Sequence, residues 1–276
     1  MSIDLVTTMN LRLYDQYGAA MIKSIDQYAE RSIRIFVSFE GELPDDLQKY
    51  SERVLFVPYE FEPHQNFLSI FSPIPEASGI KSLAVAGAKE GSVLTFYDYR
   101  FDAIRFSHKV FHIAALHVLD RLGGIRLNDK LIWLDGDTRA IRVFCERDLN
   151  PFLPQQNELM SYLGRRTYGY SECGFLGFNT LHKNFDEFIS RMANVYISGE
   201  LFIFEQWHDS WVWDRVREEF EKEGVLFRNI SGDTYDTEHP FINSGLGLFL
   251  DHLKGDARKA QGRSFDSDRV LLAAQN

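Results

Sequence analysis

Asp135-Gly136-Asp137 closes the run Lys130-Leu131-Ile132-Trp133-Leu134, and this stretch carries the best-defined chemistry in the chain. An apolar run that breaks into Asp, Gly and Thr spells a short buried strand leading into a turn. Two carboxylates one residue apart at a strand end suit a hard divalent cation such as Mg²⁺ or Mn²⁺. Ions of this kind keep part of their water shell and share the rest of it with substrate phosphates. The chemistry implied is that of an enzyme acting on a nucleoside diphosphate. The bland alternative is an acidic turn in which Asp135 and Thr138 only cap the next segment. A second Asp-x-Asp, Asp266-Ser267-Asp268, comes after no apolar strand and sits in a polar C-terminal stretch, so it is discounted.

The elements that must position these acids can be read around them. Ile3–Thr7 reads as a strand, residues 14–30 as a helix, and Ile33–Phe39 and Val54–Val57 as two more strands. Strand, helix, strand, strand is the opening of a doubly wound α/β sheet. Residues 58–79 hold four of the eight prolines and read as a long irregular excursion. Phe101–Leu122 reads as a helix stopped by Gly123-Gly124 and feeding the acid-bearing strand. In an open α/β sheet ligands gather outside the carboxyl ends of the strands, where this acid pair would lie. In the second half, Gly174–Asn179 reads as a buried strand, with helices over Phe185–Gly199 and Ser210–Glu223. Residues 249–255 open a basic C-terminal segment.

Composition bounds the rest. The chain has 276 residues, 45% of them hydrophobic and 14% aromatic, enough for a large core in a single α/β domain. A net charge of −10 argues against a generic nucleic-acid binder, since duplex DNA would repel most of the surface. Cys145 and Cys173 form no disulfide framework and no zinc spacing, which fits a reducing cytosol. The N-terminus lacks the pattern of a signal peptide and no apolar run is long enough to cross a bilayer. A cytoplasmic protein without a membrane role is expected.

An α/β half, a strand ending in Leu131–Thr138 (LIWLDGDT) and an irregular second half together resemble the GT-A fold of nucleotide-sugar glycosyltransferases. The strand is most similar to the metal-binding strand of the family 8-like branch. His252-Leu253-Lys254-Gly255 with Lys259 after it resembles that branch's late His-x-x-Gly-x-x-Lys segment. Here the lysine comes one residue late and Arg258 takes its place. Chains with LDGDT, YSECGF and WHDS blocks resemble a group seen in tailed-phage genomes. The resemblance implies a GT-A (Rossmann-like) mixed sheet flanked by helices over residues 1–263, with a polar tail at 264–276. Residues 1–138 would form the nucleotide-sugar-binding half and 139–263 the acceptor-side half.

The resemblance also implies roles. Asp135, Asp137 and His252 would hold Mn²⁺ or Mg²⁺, the one nitrogen favouring Mn²⁺. Lys259 would meet the diphosphate. Thr8 and Asn10, after the first strand, would seat the base and ribose of a donor, most simply a UDP-sugar. Arg105, Lys109 and His112 share one helical face, from which a basic residue could reach the diphosphate; a solvated face is the alternative. Phe111, Ala114, Ala115, Val118 and Leu122 would bury against the sheet. Asp209, in Trp207-His208-Asp209-Ser210, is placed to touch an acceptor hydroxyl as base or orienting group, or else caps a helix. Glu172 and Glu205 are rivals for that role. Trp207, Trp211 and Trp213 could form a sugar-stacking shelf or simply pack. Lys254, Arg258, Lys259 and Arg263, with Arg165-Arg166 near Tyr168 and Tyr170, form the basic spots of an acidic chain. The acceptor would be a hydroxymethylated base in phage DNA or a glycan. The rival readings are a nucleotidyltransferase using two acids and Mg²⁺, and a non-catalytic GT-A-like binding protein.

Overall fold

The computed structural model describes residues 2–84 and 93–269. Its strands are β1 (Ile3–Met9), β2 (Arg34–Phe39), β3 (Val54–Pro58), β4 (Ser78–Ala84), β5 (Val93–Asp102), β6 (Lys130–Leu134), β7 (Thr138–Ala140), β8 (Glu158–Leu163), β9 (Glu172–Asn179), β10 (Leu226–Asn229) and β11 (Leu250–His252). The α-helices are α1 (Leu11–Leu13), α2 (Ala19–Tyr28), α3 (Glu62–Phe71), α4 (Ala103–Arg121), α5 (Glu146–Leu149), α6 (Phe185–Ile197), α7 (Asp209–Lys222), α8 (Pro240–Asn243) and α9 (Asp256–Gln261). A π-helical turn over Tyr14–Gly18 joins α1 to α2.

Seven strands form a mixed sheet in the order β10-β8-β9-β6-β1-β2-β3, flanked by helices. Every neighbouring pair is parallel except the two made by β9. Side chains alternate along each strand and supply two cores. Val6, Phe36, Leu131 and Trp133 face one side, packed with Phe111, Phe188 and Trp213 from α4, α6 and α7. Leu5, Ile35, Ile132 and Leu134 face the other, with Met21, Ile22 and Ile25 of α2 and Phe241 of α8. The chain leaves β1 in one direction for β2 and returns on the other side as β6. That reversal of strand order makes a switch point at the carboxyl ends of β1 and β6. Thr8, Asn10 and Asp135 all lie there.

The sequence misleads at several places. Residues 58–79 are not irregular: α3 occupies their middle, because Pro63 falls in the first helical turn, where proline is tolerated. After α3, β4 and β5 pair as an antiparallel ribbon. Val118 and Leu122 do not bury against the sheet; they are 40% and 78% exposed at the far end of α4, while Ile113 and Leu116 turn inward. The segment read as the start of a basic tail contains β11, which pairs with β7. Asp266–Asp268 forms a short 3₁₀ turn whose Asp268 holds Arg258.

Candidate active site

The carboxyl end of β6 opens into a cleft of about 840 Å³. Thr8, Asn10, Arg105, Lys109, Asp135, Asp137, Asp209 and Lys259 all line it. His252 is 3% exposed and lies just behind the lining, against the two acids. These eight and His252, to which the resemblance assigns donor, metal and acceptor roles, thus lie together at one cleft, whereas His112, Glu172, Glu205, Trp207, Trp211 and Trp213 do not line it. Three elements cause this. β6 carries Asp135 to the sheet edge, and the turn to β7 presents Asp137. β11 then pairs antiparallel with β7, setting His252 opposite Thr138. Leu253 N–H donates to the Asp137 carbonyl at 3.1 Å and extends that contact.

His252 Nε2 lies 3.2 Å from Asp137 Oδ1 and 3.6 Å from Asp135 Oδ2. Ligand atoms of Asp135, Asp137 and His252 all fall within 4.8 Å of one another, close enough for one ion. Asp137 Oδ1 is buried and makes no well-aligned hydrogen bond, as expected of an oxygen kept for a cation. Two oxygens and a nitrogen suit Mn²⁺ or Mg²⁺. The residues present fit such an ion.

Charge at the cleft floor is finely balanced. Lys109 Nζ, 7% exposed, sits 2.9 Å from Asp135 Oδ1, pairs also with Asp209, and donates to the Cys173 carbonyl at 2.8 Å. Burial would push its pKa down, yet Asp135 and Asp209 prevail and hold it above the ordinary lysine value. Lys259 Nζ lies 2.8 Å from Asp137 Oδ2 and 4.8 Å from the centre of the Tyr17 ring. Burial raises the Asp137 pKa, but His252 and then Lys259 outweigh it and hold the carboxyl below its usual range. For His252, burial favours the neutral ring, while Asp137, Glu172 and Asp135 together raise its pKa. Trp133 Nε1–H donates to Asp135 Oδ1 at 2.7 Å and fixes that carboxylate's rotamer.

One residue at the other end of the cleft was not anticipated. Glu40 comes directly after β2, and both Thr8 Oγ1 (3.4 Å) and Asn10 Nδ2 (3.5 Å) donate to it. His108 Nδ1 is 3.4 Å away. Burial pushes the Glu40 carboxyl up to about 7, against the pull of Thr8, Asn10 and Arg105. The signal for Glu40 was its position at the carboxyl end of a parallel strand beside the switch point. Asn10 also accepts from Leu13 N–H at 3.0 Å, capping α1.

Several expectations need correction. Asp209 is the first residue of α7, not its cap: its Oδ1 accepts from the adjoining Ser210 N–H at 2.8 Å and its Oδ2 faces Lys109. His112 does not share the cleft with Arg105 and Lys109; it is buried against Trp133 and Tyr59 because the helix face turns into the core one turn later. Trp207, Trp211 and Trp213 form no shelf. Trp213 is in the core, Trp207 packs on Phe101 and Phe202, and Arg215 covers Trp211. Of the basic cluster, Arg258 turns away to Asp268 and Lys254 to Glu172, leaving Lys259 to reach the acids. The late lysine, not the arginine in the expected place, faces the cleft. Arg165 is buried on Glu172, and Arg166 pairs with Asp236 at the surface. Glu205 is exposed outside the cleft. No helix among the described residues is long and apolar enough to cross a membrane.

No protein-family model matches the chain, and no curated protein matches it in sequence. Solved structures with a similar fold include mouse xyloside xylosyltransferase 1 in its apo form. It is 12% identical, over 83% of this chain and 85% of that one, with a TM-score of 0.45. A glycosyltransferase involved in glycosylating the major capsid of PBCV-1 is 10% identical over 95% and 100% of the two chains, with a TM-score of 0.46. The galactosyltransferase LgtC, in complex with donor and acceptor sugar analogs, is 16% identical over 83% and 74%, with a TM-score of 0.43.

Proposed function

We propose that this chain is a metal-dependent GT-A glycosyltransferase of the family 8-like kind, moving a sugar from a nucleoside diphosphate, UDP in the simplest case, to an acceptor hydroxyl. One observation carries the reading: Asp135, Asp137 and His252 cluster within 4.8 Å at the switch point of the sheet, beside a large cleft. A bound Mn²⁺ or Mg²⁺ would supply a Lewis acid that neutralises charge growing on the departing diphosphate. The chain's own groups do the rest. Lys259 and Arg105 flank the acids from α9 and α4 and can bind phosphate oxygens once a cation answers the carboxylates. Thr8, Asn10 and Glu40 offer polar groups to the ribose and base at the far end of the cleft.

Asp209, held between Lys109 and the α7 N-terminus, is the carboxylate that meets the acceptor hydroxyl. It accepts the proton if transfer inverts the sugar and orients the acceptor if transfer retains it. A hydroxymethylated base in phage DNA or a glycan hydroxyl would each fit that chemistry. Asp137→Asn tests the reading directly. It should keep the fold, shown by an unchanged circular dichroism spectrum, and lose Mn²⁺-dependent transfer by at least about a hundredfold, the upper end of single-group electrostatic losses being larger still. Wild-type activity in a folded Asp137→Asn protein would remove the metal from the mechanism.

A further inference from the structure

We infer that Glu172 is the positioning residue of this site, seating the His252 ring so that Nε2 faces Asp135 and Asp137. The inference rests on the metal-binding reading above but concerns the back of the site. Glu172 opens β9, is 4% exposed, and does not line the cleft. Its Oε1 lies 3.7 Å from His252 Nδ1, on the side of the ring opposite the two acids. Its Oε2 is already taken: Arg165 Nη1 stands at 3.2 Å and Lys254 Nζ donates to the same atom. Oε1 is thus the oxygen left for the imidazole. At 3.7 Å it is a fixed charge beyond hydrogen-bond length, within reach of a small shift of the ring.

A metal-bound imidazole normally gives its second N–H to a carboxylate or carbonyl, which fixes the tautomer and aims the other nitrogen. The remaining walls allow this ring little else. A Cβ on Gly174 would stand 2.5 Å from Cε1 and 2.7 Å from Nδ1 of His252, so the glycine makes the space the ring fills. Phe241 packs 5.2 Å from the ring centre and His239 5.4 Å. Glu172, His239 and His252 also cluster tightly enough to hold an ion of their own. Arg165 and Lys254 speak against that use, since a dication on Glu172 would meet two cations at contact distance. His239 Nε2 is moreover engaged with the His252 carbonyl at 3.1 Å.

The test is Mn²⁺ affinity, measured by the electron paramagnetic resonance of the free ion, for the wild type, Glu172→Ala, Glu172→Gln and Gly174→Ala. Glu172→Ala and Gly174→Ala should bind roughly 10- to 100-fold more weakly. Glu172→Gln keeps an acceptor for Nδ1–H and should recover most of the affinity, although its stability falls because two cations lose a charge partner. A purely structural Glu172 would give folded Glu172→Ala and Glu172→Gln that both bind Mn²⁺ like the wild type, whatever Gly174→Ala does, and that result overturns the inference while leaving the metal site intact. A wild type that binds no Mn²⁺ would instead remove the metal reading itself. Should Glu172→Ala fail to fold, Co²⁺-loaded wild type and Glu172→Gln decide the matter by proton NMR. The hyperfine-shifted His252 N–H should move between the two; an identical resonance overturns the inference.

Discussion

At the scale of single residues, the site is an arrangement of acids that cannot stand alone. Asp135, Asp137 and Asp209 converge on one cleft, and Lys109 and Lys259 keep them compatible. Lys109 matters most because it is buried and answers two acids at once. Removing one partner of a buried ion pair leaves an uncompensated charge and costs roughly 3–5 kcal/mol. Lys109→Met should therefore lower unfolding stability by about that much in a urea titration at pH 7, and abolish transfer as well. A loss below about 1 kcal/mol would place Lys109 among ordinary surface pairs. The sequence made Lys109 legible only as one member of a cationic stripe. Which of Arg105, Lys109 and His112 face the cleft depends on how α4 lies on the sheet, and periodicity does not contain that. Glu40 was missed for a related reason. A lone acid after a strand looks like loop polarity until the neighbouring strand brings Thr8 and Asn10 onto it.

At the scale of elements, the local patterns were largely readable and the long-range pairings were not. The strand before Asp135, the helix before that strand and α6 and α7 can be read from hydrophobic spacing and glycine stops. No local pattern marks β9 as the one reversed strand, or β7 and β11 as partners, since three-residue strands are too short for alternation to register. Yet these pairings assemble the site, β9 supplying Glu172 and Gly174 and β11 supplying His252. The opposite end of the sheet has its own fastening. Asp4, fully buried in β1, accepts from Arg34 Nε (2.8 Å) and Nη2 (2.9 Å), and from Asn128 N–H (2.7 Å) and Nδ2 (2.8 Å). It ties β2 and the entry to β6 onto β1. Asp4→Ala should cost several kcal/mol in denaturant unfolding, on the order of 3–5. Mn²⁺ affinity of the folded fraction should not change, because Asp4 lies at the far end of the strands from the cleft. A weakened metal site in this variant would show that the two ends of the sheet are coupled.

At the scale of the whole molecule, buried histidines set the response to acid. Burial lowers the pKa of His64, His112 and His239 to about 3 and of His108 and His208 to about 4, from an ordinary 6.5. The unfolded chain binds their protons first, so their contribution to stability is complete above 6.5 and is lost as pH falls toward 4 and 3. Glu40, raised by burial to about 7, and His252, raised by its acids against burial, act in the opposite sense. Glu40 stabilises fully below about 4.5 and loses that contribution as pH rises through 7. His117 and His182, lowered by burial as well, act with these five, and together the seven imidazoles outnumber Glu40, His252 and Asp4, whose carboxyl burial also raises. The urea midpoint should drop steeply between pH 7 and pH 5, and a flat or rising midpoint over that range would mean these imidazoles are not buried neutral.

The proposed activity requires a cation that Asp135, Asp137 and His252 would hold and that would supply charge neutralisation to a nucleoside diphosphate leaving group. Its most direct test is a thermal-shift panel of nucleotide sugars, each measured with and without Mn²⁺. A ligand that binds only the native state stabilises it by mass action, about 2.7 kcal/mol at a hundredfold excess over its dissociation constant. The expected result is a rise in Tm with a UDP-sugar that requires Mn²⁺ and vanishes in Asp137→Asn. A donor-induced rise of equal size without metal, or no rise with any nucleotide sugar, would contradict a metal-bridged donor site.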